Sequence, residues 1–219
     1  MEFNFREIIR YFPTLLLGIK MTLFISLVSG VFATIIGIFI ALMRISKNKF
    51  LHYLAILYIE FIRGTPLMVQ LLFMYFGIGL LINMSAMFAG ILGLSIFSAA
   101  YIAEIIRAGI EAIPKGQIDA ANSLAMNYFQ IMRYIIMPQA IRITLPPVCS
   151  QFITLIKDSS LVSILAISEL TYISRKIVTR NMCPFEIYAA VGFIYLFLTT
   201  TLSYFIRRLE RRLKRVVSS

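Results

Sequence analysis

Charge is scarce in this chain. Of its 219 residues only 14% are charged and only 10 are acidic, whereas a soluble domain carries about 25% charged residues. An ordinary water-facing surface is therefore excluded. Cysteine and histidine are nearly absent too: Cys149, Cys183 and His52 are the whole set. With no CxxC spacing and a single imidazole they make no metal site. Cys149 lies in an apolar segment and Cys183 in a loop, and both read as isolated thiols. Nucleotide and catalytic motifs are missing as well. There is no GxxxxGK(S/T) loop to cradle phosphates, no GxSxG and no HExxH. Hydrolysis of ATP by this chain alone is not expected, and no cofactor is implied. The start, MEFNFREIIRYF, mixes acids and aromatics, and no small-residue cleavage site follows a short apolar core, so it does not read as a cleavable leader.

What is abundant is apolar surface, since 60% of the residues are hydrophobic. The net charge of +11 alone would suggest nucleic acid. Its distribution excludes that, because the cations fall between and after apolar segments rather than on one soluble face. A membrane helix needs about 20 largely apolar residues. Five candidates fit: about Leu15 to Met43, Leu54 to Ile82, Ala86 to Ala103, Ala140 to Ile156 and Phe185 to Ile206. The piece LVSILAI (161–167) is too short to cross and reads as a short helix or a re-entrant segment. The part before Lys20 reads partly as a surface helix.

Lys and Arg sort to one side of these spans. Arg44, Lys47, Lys49, Arg107, Lys115, Arg133, Arg142 and the tail Arg207, Arg208, Arg211, Arg212, Lys214 and Arg215 make thirteen, against five (Arg6, Arg10, Arg175, Lys176 and Arg180) on the other side. Positive charge is retained in the cytoplasm, so the C-terminus is expected inside and the N-terminus outside. The whole chain, 1–219, reads as one all-α polytopic membrane domain.

Ionisable groups inside a span are costly and therefore informative. Glu60 and Arg63 share a helix face at i,i+3 spacing, just before Gly64-Thr65-Pro66, where proline removes a donor and disfavours helical geometry at Thr65. They read as an internal ion pair or as the wall of a gate. Glu104 and Arg107 repeat the spacing as an interfacial pair. Ser95 and Ser98 either pack helices or line a path, as does Tyr101. Pro146-Pro147 should kink or unwind the fourth span. Asp158-Ser159-Ser160 reads as a cap for a following helix, or Asp158 faces a cavity where its carboxylate would receive an ammonium or basic group.

The longest polar interval holds QIDAANSLAMNYFQIMRYIIMPQA (117–140), too polar and too short to cross. A helix lying on the lipid surface, as in a channel or scaffold protein, needs a broad apolar face ringed by Lys and Arg. Asp119-Ala120-Ala121-Asn122-Ser123 is small and carries no cation, which fits a partner's groove better.

That interval resembles the EAA signature of ATP-binding cassette importer permeases: EAA, three residues, Gly, nine residues, Ile-x-Leu-Pro. Here it reads Asp119-Ala120-Ala121, Ala125 at the Gly position, and Ile135-Ile136-Met137-Pro138. Ala125 adds a methyl where the family favours a bare backbone, at a close helix contact or a turn. YIEFIRGTPLMVQ (58–70), YIAEIIRAGIEAIPKGQ (101–117) and LIKDSSLVSI (155–164) are similar to the polar amino-acid branch of the same family.

The resemblance implies a dimeric permease core, from identical or homologous subunits, with two cytoplasmic ATPase subunits and an extracellular or periplasmic amino-acid-binding protein. It implies transport of a polar, possibly basic, amino acid by alternating access across the cytoplasmic membrane, with membrane lipid around the permease. Residues from about Gln117 to Phe129, among them Asp119, Ala120, Ala121, Ala125 and Met126, would form the helix that docks on the ATPase. Arg133, Arg142 and Pro138 would lie beside it. Glu60, Arg63, Ser95, Ser98, Tyr101, Asp158 and Ser159 would border the substrate path. A bulky charge at Ala121 is expected to uncouple transport while the protein stays in the membrane.

Overall fold

The computed structural model describes residues 5–215, and side chains from 7 to 211, so Arg6, Arg212, Lys214 and Arg215 of the charge count lie outside the described side chains. Among the described residues every regular element is helical. The stretches Glu7–Arg44, Ala86–Glu111, Tyr128–Leu165 and Pro184–Arg211 are long and apolar enough to cross a membrane, and a bent pair, Lys49–Arg63 with Leu67–Gly79, makes a fifth. The apolar runs therefore forecast the spans, while local chemistry reshapes each of them.

Helix α1 (Phe5–Arg44) is one element of 40 residues, roughly 60 Å at 1.5 Å per residue. The residues from 5 to Lys20 belong to the same continuous helix as the first span rather than to a separate one. Helix α2 (Lys49–Arg63) begins at Asn48, whose side chain accepts the Phe50 N–H at 2.9 Å, a typical N-cap. The expected second span is not straight. It bends by 103° at Gly64-Thr65-Pro66 into α3 (Leu67–Leu72), which runs on as a π-helix from Phe73 to Gly79.

Ser85 caps α4 (Ala86–Glu111) by accepting the Phe88 N–H at 3.2 Å. After α5 (Lys115–Ser123) the chain re-enters the bundle through α6 (Tyr128–Ile131), a π-turn at Met132–Ile136, and α7 (Met137–Asp158). Pro146-Pro147 does not unwind this span. Helix α7 stays helical through both prolines while α1, α4 and α9 pack along it, the support that lets spanning helices hold proline. A 3₁₀ segment (Ser159–Leu165) follows, then α8 (Leu170–Asn181) and α9 (Pro184–Arg215).

Close contacts give the helix directions. Ser29 Oγ donates to the Ile91 carbonyl at 3.3 Å, and further along both helices Gly37 meets Ala99 and Ile102, so α1 and α4 run parallel. Gly90 faces Val162 and Ile167 whereas Gly109 faces Ala140 and Thr144, so α7 runs back against α4. Burial follows these crossings. Ile25, Leu71, Leu94, Leu155 and Val162 form a central cluster, and Leu15, Leu170, Ile173 and Ile187 tie α8 and the start of α9 onto α1. The outward faces stay apolar: Leu17, Leu27 and Phe39 of α1 and Phe193 and Phe197 of α9 are all exposed. Surface of that kind is stable only against lipid or another apolar surface.

Candidate functional site

The interval 112–140 folds into an elbow at the end of the bundle that the charge count assigns to the cytoplasm. Helix α5 stops at Ala125, whose φ is +55°. There the Ala125 N–H bonds the Asn122 carbonyl at 2.9 Å and the Met126 N–H reaches back to the Ala121 carbonyl at 3.2 Å. This pair of bonds is the Schellman stop, normally built on glycine. Asn127 then starts α6 with a capping box. It accepts the Gln130 N–H at 3.0 Å while the Gln130 side chain accepts the Asn127 N–H at 2.9 Å. The expectation of one docking helix reaching Phe129 is thereby corrected: α5 ends at Ser123, because a left-handed residue cannot be continued helically. In this chain the position that matches the family's glycine is a turn, not a close helix contact.

Ala121 is 2% exposed and packs on Ile113, Ile131, Ile136 and Ala140. It leaves almost no surface open to a partner, so a bulky charge there should disturb the elbow as well as the coupling. Met126 packs against the same cluster. Gln117 accepts from the Gln139 side chain at 2.6 Å, tying the first turn of α5 to the first turn of α7, where Pro138 sits. Asp119, Ala120, Arg133 and Arg142 are exposed. Leu124, Tyr128 and Phe129 are exposed as well, at 77%, 60% and 68%, and Lys47 lies 5.5 Å from the Tyr128 ring centre. These three apolar side chains lie at and just after the stop of α5, Leu124 at its C-cap and Tyr128 and Phe129 on the first turn of α6.

A second group of residues gathers where α1, α2 and α4 meet. Glu60 and Arg63 do not pair. Glu60 is exposed and makes no ion pair among the described residues, while Arg63 lies 4.0 Å from Glu104 and 5.4 Å from the centre of the Tyr101 ring. Arg63, the last residue of α2 before the break, reaches α4 instead, a longer-range contact that i,i+3 spacing cannot reveal. The Glu104–Arg107 pair does form, with Nε at 3.1 and 3.2 Å and Nη2 at 3.0 Å from the carboxylate oxygens. Arg44 adds a contact at 3.8 Å and Glu111 binds Arg107 from the next turn. One carboxylate thus faces guanidinium groups from three helices.

The remaining expected path residues lie deeper. Ser95 and Ser98 are buried; Ser95 Oγ donates to the Ile91 carbonyl at 2.6 Å, and Ser98 Oγ has no hydrogen-bond partner among the described residues. Ser159 is fully buried with its hydroxyl on the Ile156 carbonyl at 2.8 Å. Asp158 is half-buried and its side chain makes no capping hydrogen bond among the described residues, which removes the first of its two alternative readings. Its backbone, at φ −65° and ψ −28°, is helical, whereas a cap needs an extended residue to turn its oxygen onto the next N–H groups. The structure joins Arg63, Tyr101 and Glu104; no hydrogen bond or ion pair among the described residues links them to Asp158.

Sequence reasoning passed over Glu169. This fully buried carboxylate accepts the Thr171 and Tyr172 N–H groups at 2.8 and 2.6 Å and the Tyr195 hydroxyl at 3.2 Å. It caps α8, and Thr22 of α1 accepts the adjacent Leu170 N–H at 3.2 Å. The available signal was an acid one position ahead of a polar-faced helix.

A bundle that crosses a membrane, with its ionisable groups gathered at helix breaks and a short helix held out beyond one end, has the equipment of a permease. The chain belongs to the family described as "Binding-protein-dependent transport system inner membrane component", which matches residues 33–215. It is 42% identical over 211 residues to the probable amino-acid ABC transporter permease protein YckA of Bacillus subtilis (strain 168), covering 96% of this chain and 93% of that protein. It is 37% identical over 217 residues to the glutamine transport system permease protein GlnP of Escherichia coli (strain K12), covering 98% and 99%. A crystal structure of an amino acid ABC transporter with histidines superposes with a TM-score of 0.92 at 40% identity, over 97% of this chain and all of that one (100%). The chain is thus a multi-pass transport subunit of the cytoplasmic membrane that works with an ATPase and a binding protein, ATP hydrolysis residing in a separate subunit.

Proposed function

We propose that this chain is the permease of an ATP-driven importer of polar amino acids, working as one of two identical or homologous permeases with two ATPase subunits. The observation that carries the coupling assignment is the exposed apolar set Leu124, Tyr128 and Phe129 beside Asp119 and Ala120. These side chains enter the ATPase groove, while Ala121, Ala125 and Met126 hold the elbow on its own chain. Gln117 and Pro138 fix its root, and Arg133 and Arg142 flank it.

ATP binding closes the ATPase pair and moves the elbows. The spans then exchange inward- and outward-facing states, and each ligand biases that exchange only by its differential affinity for the two. The substrate passes Arg63 and Tyr101 on one side and Asp158 on the other, whose uncapped carboxylate receives the ammonium. Glu60, Ser95, Ser98 and Ser159 shape the walls.

Leu124→Asp with Phe129→Asp tests the reading. The double variant should reach the membrane at the normal level, lose co-purifying ATPase at least tenfold, and lose uptake with it. Retention of the ATPase refutes the docking surface. Failure of the unaltered chain to bind any ATPase favours a channel or scaffold. Asp158→Asn, measured against basic, neutral and acidic amino acids, should change the order of preference; a uniform loss would mean a structural carboxylate.

A further inference from the structure

One side chain, Gln70, is hydrogen-bonded across the break between α2 and α3. Pro66 has no N–H, so the Ile62 carbonyl, four residues earlier, loses its helical donor. In an apolar setting an orphaned carbonyl is costly. Gln70 supplies the replacement. Its Nε2 lies 2.8 Å from the Ile62 carbonyl, 2.7 Å from Thr65 Oγ1 and 3.2 Å from the Thr65 carbonyl. Thr65 Oγ1 in turn donates to the Phe61 carbonyl at 2.9 Å. The amide of α3 is therefore bonded to the last turn of α2 across a bend of 103°.

Each limb is separately fixed to α4. Tyr58 donates to the Ile96 carbonyl at 2.6 Å and Arg63 reaches Glu104, while on the other limb Leu71 fills the space over Gly93. A cavity of about 320 Å³ lies in the crook, with Ile62, Thr65 and Gln70 on its wall and Gly93 and Ile96 opposite.

We propose that Gln70 is a positioning residue for transport: it sets the angle of the broken span, and Pro66 removes the competing straight helix. This rests on the permease reading above. A bent span whose limbs grip α4 at two levels transmits a tilt of α4, the helix that leads into the elbow, to the crook. The chemistry separates this role from simple satisfaction of a carbonyl. Pro66→Ala restores an N–H that reaches Ile62 only if the two limbs align, so it repairs the hydrogen bond while abolishing the bend.

The test uses the full complex in liposomes, with Cys149 and Cys183 replaced by serine and spin labels at positions 54 and 81, both exposed. Gln70→Leu should broaden the label distance distribution, lower thermal stability and cut uptake at least tenfold at normal membrane level. Adding Pro66→Ala to Gln70→Leu should recover the thermal stability, sharpen the distribution and lengthen the distance by on the order of 15 Å, from 1.5 Å per residue in aligned limbs, yet leave uptake lost. Recovery of both stability and uptake in the double variant overturns the proposal, as does an unchanged narrow distance in Gln70→Leu. If the labels respond as described but the unaltered complex moves no amino acid, the permease reading fails and the hydrogen-bonded bend stands.

Discussion

Replacing Ala125 by glycine should strengthen the elbow. Ala125 carries φ +55°, a conformation that costs an L-residue roughly 1–2 kcal/mol. Glycine adopts it freely but surrenders about 0.5–1 kcal/mol more backbone entropy on folding, so the net gain is about 0.5–1 kcal/mol. The amides that report it are those of residues 125 and 126, bonded to the Asn122 and Ala121 carbonyls. Their hydrogen exchange, followed by mass spectrometry on the purified protein, should slow about two- to fivefold, since local opening tracks local free energy. The companion variant is Ala120→Gly. Ala120 is exposed within α5, gains nothing from the turn and should lose about 1 kcal/mol in helix propensity, so exchange there should quicken about fivefold. Opposite signs from the same substitution five residues apart are the signature. If both variants loosen the elbow, the left-handed stop at Ala125 is not how α5 ends.

Other outcomes follow from packing and charge. Gly30→Ala places a methyl against the Phe152 ring and should cost about 1–3 kcal/mol, lowering the melting temperature in detergent. Gly192→Ala, with no atom of the described residues within 4 Å of the added carbon, should raise it through a propensity gain of about 1 kcal/mol. Glu104→Gln leaves the guanidinium groups of Arg44, Arg63 and Arg107 without their common carboxylate and should cost on the order of 2 kcal/mol, whereas Arg63→Gln, at 4.0 Å and with a side chain 43% exposed, should cost less than about 1 kcal/mol. Equal melting shifts for those two would show that Glu104 is not the shared partner.

The helix breaks around the candidate site were legible in residue chemistry, while the contacts made across them were not. The break at Gly64-Thr65-Pro66 could be read because proline's missing donor is a property of the residue itself. Its partner Gln70 needed the bend as well, since only a turned chain presents that amide to Ile62. The elbow's spacing was readable. Its internal stop was concealed because alanine, unlike glycine, does not advertise a positive φ. Glu60 and Arg63 show the converse: correct helical spacing proposed a pair, and a carboxylate on another helix took the arginine.

The sequence by itself determined the solvent. Its apolar runs, scarce charges and one-sided Lys and Arg demand a multi-pass helical bundle, because transfer free energy depends on composition and length alone. Local residue chemistry likewise determined where helices must stop or bend. Only the tertiary structure decided which groups meet: Ala121 turned inward and Leu124, Tyr128 and Phe129 outward, Glu104 shared by three arginines, Glu169 buried on the α8 N-terminus. Those choices depend on helix directions and crossings, and crossings are settled by contacts between residues far apart in the chain.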